Sequence, residues 1–410
     1  MFEGLDDINW NGLRDAYGAA GKTPERIRSL VSDDLIAAKK ALDELFFTII
    51  HQGAIYPAAE AAAPFLGETL EIASPEILPG VLSLLAAMSR GRGFFDSAQH
   101  LPILGGPIRE SLADPDAEIE EERDLVRDTA RAVFAEWDRV TLLLDHPEAT
   151  VRAAALYLLV TLGRNDLGST SGPDDPEPYL GVRPRGSSRG SWAALALAAV
   201  EAALERNADV AEYAGALSAF LPLGRADHPA LALDRTDDAP AIVRYVALEA
   251  AVARAGGFGA PLSDHLAGPI GRLIAERDQI DDILRSPIWR WGGDARRMTL
   301  DMATGLSDAA IDRIADELAP VLQPGEWQLY CMSTILRLAL GARTPRIPDD
   351  PCQLSTGRRR LVLAITEKPK ATERPLDWLF HPDNWTAQGR LKQLGLSGDA
   401  TVWRVWMNAA

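Results

Sequence analysis

Cysteine is scarce in this sequence, and neither copy has the neighbours that a metal site or a disulfide framework needs. The 410 residues include 2 cysteines. Cys331 falls in an apolar helical stretch and Cys352 in a proline-rich one, so the chain has no paired cysteines and no cysteine–histidine cluster. Free thiols suit a reducing compartment. The sequence therefore predicts no disulfide and no metal site.

Long apolar runs are also missing. No stretch reaches the roughly 20 apolar residues that span a bilayer. The opening residues, Met1 to Asp7, show no basic region followed by an apolar run, which would mark a secretory signal. Together with the free thiols, these absences predict a cytoplasmic protein that makes no membrane contact.

Positive charge is in deficit. The chain has 42 lysines and arginines against 59 aspartates and glutamates, which gives a net charge of -17 at pH 7. Such a surface repels phosphate backbones, so nucleic acid is a poor partner. The charge favours another protein, neutral or basic, as the partner, and it leaves the oligomeric state open.

The common catalytic motifs are absent as well. The sequence contains no glycine-rich phosphate loop, no Gly-x-Ser-x-Gly turn and no His-Glu-x-x-His helix. It therefore predicts no cofactor and assigns no catalytic residue. This favours a role other than catalysis.

What the chain has in quantity is alanine and leucine, within a hydrophobic content of 47%, and this composition favours an all-α fold. Residues 145–163 form its clearest unit. Asp145 and Pro147 suit a helix start, and Gly163 is expected to end the helix. Apolar side chains between them surround the helix, so it must be covered on both sides. Stacked repeats provide such cover.

The same pattern returns later in the chain. Val151-Arg152 is followed by Ala155-Leu156, and Val243-Arg244 is followed by Ala247-Leu248 at the same interval. Weaker copies occupy residues 33–42, 126–127 and 209–214. Recurrence of one helical pattern indicates a repeat protein.

These repeats resemble those of bacterial, actinobacterial-type HEAT-repeat proteins, most closely over residues 10–163. The opening carries the resemblance through Trp10, Leu13, Ala16-Tyr17-Gly18, Leu42-Asp43-Glu44-Leu45, His51-Gln52-Gly53, Tyr56 and Ala63-Pro64-Phe65-Leu66. The resemblance implies a right-handed α-solenoid of HEAT-like, armadillo-like helical hairpins. It also implies a protein-binding role, for which the immunity half of a toxin pair is one example, and it supplies no catalytic residue.

Breaks in the helical pattern divide the chain into four parts. Residues 1–163 are predicted to hold N-terminal HEAT-like repeats, and residues 164–190 a loop or linker rich in Gly, Ser and Pro. Residues 191–343 are predicted to hold C-terminal repeats. Residues 344–410 form a tryptophan-rich cap, as expected for a last repeat that lacks one neighbour.

Several local features have two interpretations each. Residues 24–31, 33–50, 56–70 and 75–89 are predicted helices, and Leu35 is expected to face inward. His51 is expected to cap the end of its helix rather than bind a ligand. The acidic run from Asp114 to Asp124 is expected to form a solvated helix face. The basic run 358–360 is expected to pair with neighbouring acids rather than grip phosphate.

Two groups of residues are candidates for binding a ligand or partner. Trp289, Trp291 and Asp294 lie in a short segment with two tryptophans and two glycines, and exposed tryptophans mark binding sites. Arg183, Arg185 and Arg189 lie in the predicted loop. The first hypothesis is a scaffold or adaptor that binds a protein on its concave face.

The alternative is a small-molecule binder or an enzyme in which the loop covers Trp289, Trp291 and Asp294. HEAT-like solenoids include DNA glycosylases, whose sites use aspartate, arginine and tryptophan. The acidic charge of this chain disfavours that role.

The resemblance generates a first prediction. Far-UV circular dichroism should show a strongly helical chain, and small-angle scattering should show an elongated or arched particle rather than a sphere. A spectrum dominated by β-sheet would contradict the fold assignment.

Overall fold

A computed structural model describes residues 2–51, 54–91, 112–167, 191–206, 210–221, 223, 225–232, 239–257, 260–276, 295–322, 332–341, 351–366, 391–392, 396–397 and 399–408. This part of the chain is mostly helical, which confirms the all-α prediction. Contacts divide the chain into two compact units, Met1–Arg225 and Ala226–Ala410. Among the described residues, no helix has both the length and the apolarity that a bilayer crossing requires.

The first unit combines helices with two short antiparallel hairpins. In the first hairpin β1 (Arg14–Asp15) pairs with β2 (Gly18–Ala19), and in the second β3 (Ile50–His51) pairs with β4 (Ala54–Ile55). The helices are α1 (Thr23–Ser29), α2 (Leu35–Thr48), α3 (Pro57–Thr69), α4 (Leu78–Arg90), α5 (Pro115–Phe134), α6 (Trp137–Leu142), α7 (Ala149–Leu167), α8 (Ser191–Glu205) and α9 (Val210–Ala219). The first four confirm the helices predicted in residues 24–89.

Helix α2 shows how sequence signals set a helix boundary. The Asp34 carboxylate accepts hydrogen bonds from the backbone N–H groups of Ile36 and Ala37, at 3.0 and 3.2 Å, and so caps the first turn. Leu35 follows this cap directly and is 37% exposed, so the expectation that it faces inward was wrong. First-turn residues need not point toward the core.

His51 does not cap α2, contrary to the sequence expectation. The helix ends at Thr48, and His51 lies in β3, paired with Ala54. The β-branched residues Ile50 and Ile55 face each other across this hairpin. Side chains of that type favour strands, which explains the early end of the helix.

Helix α7 is enclosed within the first unit. It packs against α4, α6, α8 and α9. Its buried apolar side chains, none more than 5% exposed, are those of Val151, Ala153, Ala154, Ala155, Leu156, Tyr157, Leu158, Leu159, Val160 and Leu162. The prediction that this helix is covered on both sides is confirmed.

Gly163 does not end α7, as the sequence suggested, because the helix continues to Leu167. A Cβ atom at Gly163 would lie 2.9 Å from the Cβ of Ala196 and 3.4 Å from the Cα of Ala193, both in α8. The glycine therefore allows two helices to approach closely. The first four residues of the predicted loop 164–190 are helical, and residues 168–190 lie outside the described part of the chain.

The two strongest repeats use their arginine in the same way. Arg152 Nη1 donates to the backbone carbonyls of His146 and Pro147, both at 2.8 Å. Arg244 Nη1 donates to the carbonyl of Ala239, and Nη2 of the same residue pairs with the Glu276 carboxylate. In each case an acceptor lies five residues before the arginine. The sequence repeat is thus also a repeated connection between a helix and the segment before it.

The second unit is built from α10 (Ala241–Arg254), α11 (Ala267–Ala275), α12 (Ala295–Ala303), α13 (Asp308–Arg313), α14 (Ala315–Val321), α15 (Met332–Leu340), α16 (Thr356–Ile365) and α17 (Ala400–Asn408). Helix α11 packs against α10, α12, α13 and α14, and α16 packs against α13, α14, α15 and α17. Most of these contacts join helices that are close in the chain.

The basic run 358–360 pairs with acids, as predicted. Arg358 is 6% exposed, and its Nε donates to Asp308 Oδ1 at 2.6 Å while Nη1 donates to the carbonyl of Leu338 at 2.5 Å. Arg360 pairs with Asp316. These contacts hold α16 to α13, α14 and α15.

Part of the predicted tryptophan-rich cap is also described. Trp403 is fully buried, and its Nε1 donates to the carbonyl of Ser397 at 2.9 Å. Trp378 and Trp385 lie outside the described residues. The four-part division of the chain stays a prediction, and the division by contacts falls between Arg225 and Ala226.

We predict that α7 carries much of the stability of the first unit. Leu158→Ala or Leu159→Ala should lower the free energy of unfolding by about 2–5 kcal/mol in urea denaturation, because buried apolar contacts are lost and a cavity forms. Leu142 is 76% exposed, so Leu142→Ala is the control and should change stability by less than about 0.5 kcal/mol. Equal effects at the three positions would show that α7 is not enclosed in solution.

Candidate functional site

The six residues predicted to bind a ligand or partner lie outside the described part of the chain. They are Trp289, Trp291, Asp294, Arg183, Arg185 and Arg189. Their assignment to a site therefore stays a prediction. Within the described residues, two other surfaces present functional groups to solvent, one in each unit.

The surface in the first unit, called the aromatic patch, consists of Tyr17, Phe47 and His51. Tyr17 and Phe47 are 69% and 62% exposed. The rings of Tyr17 and His51 meet edge to face, with centroids 5.4 Å apart, and Tyr17 Oη lies 3.4 Å from His51 Nδ1. Exposed aromatic rings at fixed positions are typical of protein-binding hot spots.

A hydrogen-bonded turn holds the patch in place. The N–H of Tyr17 donates to Asp15 Oδ1 at 2.8 Å, and the N–H of Ala16 donates to the carbonyl of Thr48 at 2.8 Å. The second bond ties the first hairpin to the last residue of α2. Tyr17 and Phe47 are therefore the sequence neighbours of Ala16 and Thr48, the two residues that this hydrogen bond joins.

Charged groups beneath the turn strengthen this connection. Arg26 Nε donates to Glu44 Oε2 at 2.8 Å, and Arg26 Nη1 lies 4.0 Å from Asp15 Oδ2. The hydrogen bond from Arg26 lowers the pKa of Glu44. Asp15 is 6% exposed, so its charge needs the nearby guanidinium. The arginine thus links α1, α2 and the hairpin under Tyr17.

Beside the patch, Tyr56 is a partly enclosed phenol. Burial is the main cause that raises its pKa, and the nearby Glu122 carboxylate adds to the effect. Tyr56 therefore stays protonated at neutral pH and can donate a hydrogen bond. Glu122 belongs to the acidic face of α5, where Glu120 and Asp124 pair with Arg127.

The aromatic patch continues along α2. Ile36 is 82% exposed and precedes Phe47 by eleven residues. Eleven residues of α-helix make just over three full turns and about 16 Å, so the two side chains share one face. Lys40 and Asp43 lie between them on the same face and are exposed. The face therefore carries an exposed apolar side chain near each end and one charge of each sign between them.

The surface in the second unit is a groove of about 720 Å³. One wall is α11 and the other is formed by α13 and α14. Its lining residues are Asp264, His265, Gly268, Arg272, Ala275, Arg313, Ile314 and Glu317. This volume is within the usual range for small-ligand sites.

Two hydrogen bonds fix the end of the groove. Arg313 Nη2 donates to the backbone carbonyl of Asp264 at 2.7 Å, and it lies 3.8 Å from Asp264 Oδ2. Ser263 Oγ and His265 Nδ1 are 2.8 Å apart. These contacts join the turn before α11 to the last residue of α13.

The interior of the second unit contains a separate acidic cluster around Tyr245. Tyr245 is 2% exposed, and burial together with Glu249 and Asp301 raises its pKa. Thr334 donates to Asp301. Burial raises the pKa of Glu249 to about 7, although part of this side chain still reaches solvent. Because Tyr245 is enclosed, this cluster offers no open reaction site.

The groups that the structure describes do not form a metal centre. No set of three or more histidine, cysteine, aspartate or glutamate side chains could hold a metal ion within the described residues. The aromatic patch offers a phenol and an imidazole to a partner, and the groove offers guanidinium and carboxylate groups to a ligand. Both arrangements suit binding through charge and apolar contact.

Comparison with known proteins adds no relative. No protein-family model, curated protein or solved structure matches the chain. The resemblance to HEAT-repeat proteins therefore stays a prediction from the sequence.

We predict that Glu249 weakens folding at alkaline pH. Its carboxyl has a pKa of about 7 in the folded protein against 4.5 normally, so stability falls as pH rises from 4.5 to 7 and stays lower above it. Glu249→Gln should raise the free energy of unfolding at pH 8 by about 1–3 kcal/mol. We expect a value near the lower end of this range because the side chain is partly solvated. At pH 4.5 the two proteins should be nearly equal in urea denaturation. The same gain at both pH values would contradict the raised pKa.

Proposed function

We propose that the protein is a HEAT-like α-solenoid that binds another protein, as a scaffold or adaptor. The observation that carries the proposal is the aromatic patch, in which Tyr17 and Phe47 are exposed on a hydrogen-bonded support. Holding a ring in place reduces the entropy lost on binding. An aromatic residue at such a hot spot typically contributes about 2–4 kcal/mol to the binding free energy.

The packing of the helices supports the solenoid part of the proposal. In each unit, the main contacts join helices no more than three places apart in the order given above, which is consistent with the local packing of repeat proteins. Helices α7 and α10 begin at corresponding positions of the two sequence repeats, Ala149 and Ala241. Their arginines also bond to corresponding carbonyls, those of Pro147 and Ala239.

The surface charge supports a neutral or basic partner. The chain carries a net charge of -17, which attracts basic proteins at long range. At short range, the exposed side chains of Ile36 and Phe47 favour apolar contact with the partner. The partner we propose is therefore a protein with an apolar pocket inside a neutral or basic rim.

A photo-crosslinking experiment tests this function. A benzophenone amino acid replaces Phe47 in one version of the full chain and Leu142 in a control version, since both side chains are well exposed. In extracts of the native host, we expect one protein to crosslink at position 47 and not at position 142. The crosslinked protein is then purified to measure its affinity.

With that partner in hand, Phe47→Ala and Tyr17→Ala should each weaken binding by about 2 kcal/mol or more. Leu142→Ala should leave the affinity unchanged, and all three variants should melt near the wild-type temperature because exposed side chains contribute little to folding. Wild-type affinity in both patch variants would contradict the proposed binding surface. A partner that crosslinks equally at positions 47 and 142 would do the same.

A further inference from the structure

The groove of the second unit is open because of where its glycines lie. At Gly271, a Cβ atom would lie 2.9 Å from Cγ2 of Ile314, the residue between α13 and α14, so α11 touches the junction of these two helices there. One turn earlier, a Cβ atom at Gly268 would meet nothing within 4 Å. The helices are thus in contact at one glycine and separated at the other, and the space between them is the groove.

The lining of the groove carries charges of both signs. Arg272 and Arg313 contribute guanidinium groups, and Asp264 and Glu317 contribute carboxylates. Asp264 already neighbours Arg313. Within the described part of the chain, no cation lies within ion-pair distance of Glu317. The groove therefore presents the guanidinium group of Arg313, held beside Asp264, and the Glu317 carboxylate, whose charge a ligand could balance.

The floor of the groove is apolar. Ile314 is 3% exposed and lines the groove beside Ala275 and Gly268. An apolar ligand group placed there would displace water from Ala275 and Gly268, which are exposed, because Ile314 beneath them is already almost fully enclosed. A ligand that fits must therefore combine charged groups with an apolar body.

These properties exclude several ligand classes. A nucleotide or phosphate carries two or more negative charges, which Glu317 and Asp264 would repel. A polyamine would meet two guanidinium groups. A purely apolar ligand would cover charged side chains without giving them a partner, which is unfavourable.

We propose that this groove binds an amino acid or a short peptide that has both a free ammonium and a free carboxylate group. Arg313, held against Asp264, receives the carboxylate, and Glu317 receives the ammonium group. The apolar side chain lies over Ala275 and Gly268. Guanidinium groups bind carboxylates through paired hydrogen bonds, which makes Arg313 selective for that group.

Calorimetry on the full chain tests the proposal with four probes: leucine, the tripeptide Ala-Leu-Ala, and the same tripeptide with its amino end acetylated or its carboxyl end amidated. We expect leucine or the free tripeptide to bind, and the tighter of the two gives the size of the ligand. Each blocked tripeptide should bind at least about tenfold more weakly than the free one if the peptide is the ligand, since a charge-assisted hydrogen bond is lost. If leucine is the ligand, N-acetyl-leucine and leucinamide replace the blocked tripeptides.

Two substitutions at Gly268 distinguish a loss of binding caused by filling the groove from a loss caused by unfolding. Gly268→Phe fills the open space and should abolish binding, whereas Gly268→Ala adds one methyl group where nothing lies within 4 Å and should keep wild-type affinity. Both proteins should keep the wild-type circular dichroism spectrum. Unchanged binding by Gly268→Phe would overturn the proposal.

Glu317→Gln tests the ammonium contact. This variant should bind the free and the acetylated ligand with nearly equal affinity, because the carboxylate that distinguishes them is gone. A wild-type preference for the free ligand in Glu317→Gln would overturn the assignment. Binding of inorganic phosphate in preference to all the peptide and amino-acid probes would overturn the ligand class.

Discussion

The first unit depends on enclosing a helix that is apolar in every direction. Ten apolar side chains of α7 are almost fully buried, and α4, α6, α8 and α9 together provide the cover. None of these neighbours could cover the helix alone, because each reaches only one side of it. The neighbouring helices lie very close to α7. At Gly163, even one added methyl group would press against Ala196 in α8. The arrangement of the surrounding helices follows from this requirement.

Much of the local structure could be predicted from the sequence because it depends on nearby residues. The Asp34 cap depends on residues of the same turn, and the run of arginines 358–360 predicts ion pairs even though the partners, Asp308 and Asp316, lie more than 40 positions away. The errors arose where distant residues decide the outcome. Glycine after an apolar helix commonly ends it, but Gly163 is needed for contact with Ala196, which is 33 positions away. His51 likewise depends on strand pairing beyond the end of α2.

The two surfaces that the structure presents could be predicted only in part. The turn at Asp15 to Gly18 has a local signal, because an aspartate that bonds to the N–H two residues later is a common turn. The exposure of Tyr17 and Phe47 depends on the hairpin that docks against α2. The groove has no sequence signal, because it joins α11 to helices about 40 residues further along. The six predicted site residues lie outside the described part of the chain.

The arginines of the two strongest repeats have a consequence for how such a chain can diverge. Arg152 and Arg244 both bond to a backbone carbonyl five residues earlier, at Pro147 in one case and at Ala239 in the other. Every residue type supplies that oxygen, so the position that receives the bond is free to change during evolution. The arginine alone must stay. Two repeats can therefore keep the same connection between a helix and the segment before it after most of their sequence identity has been lost.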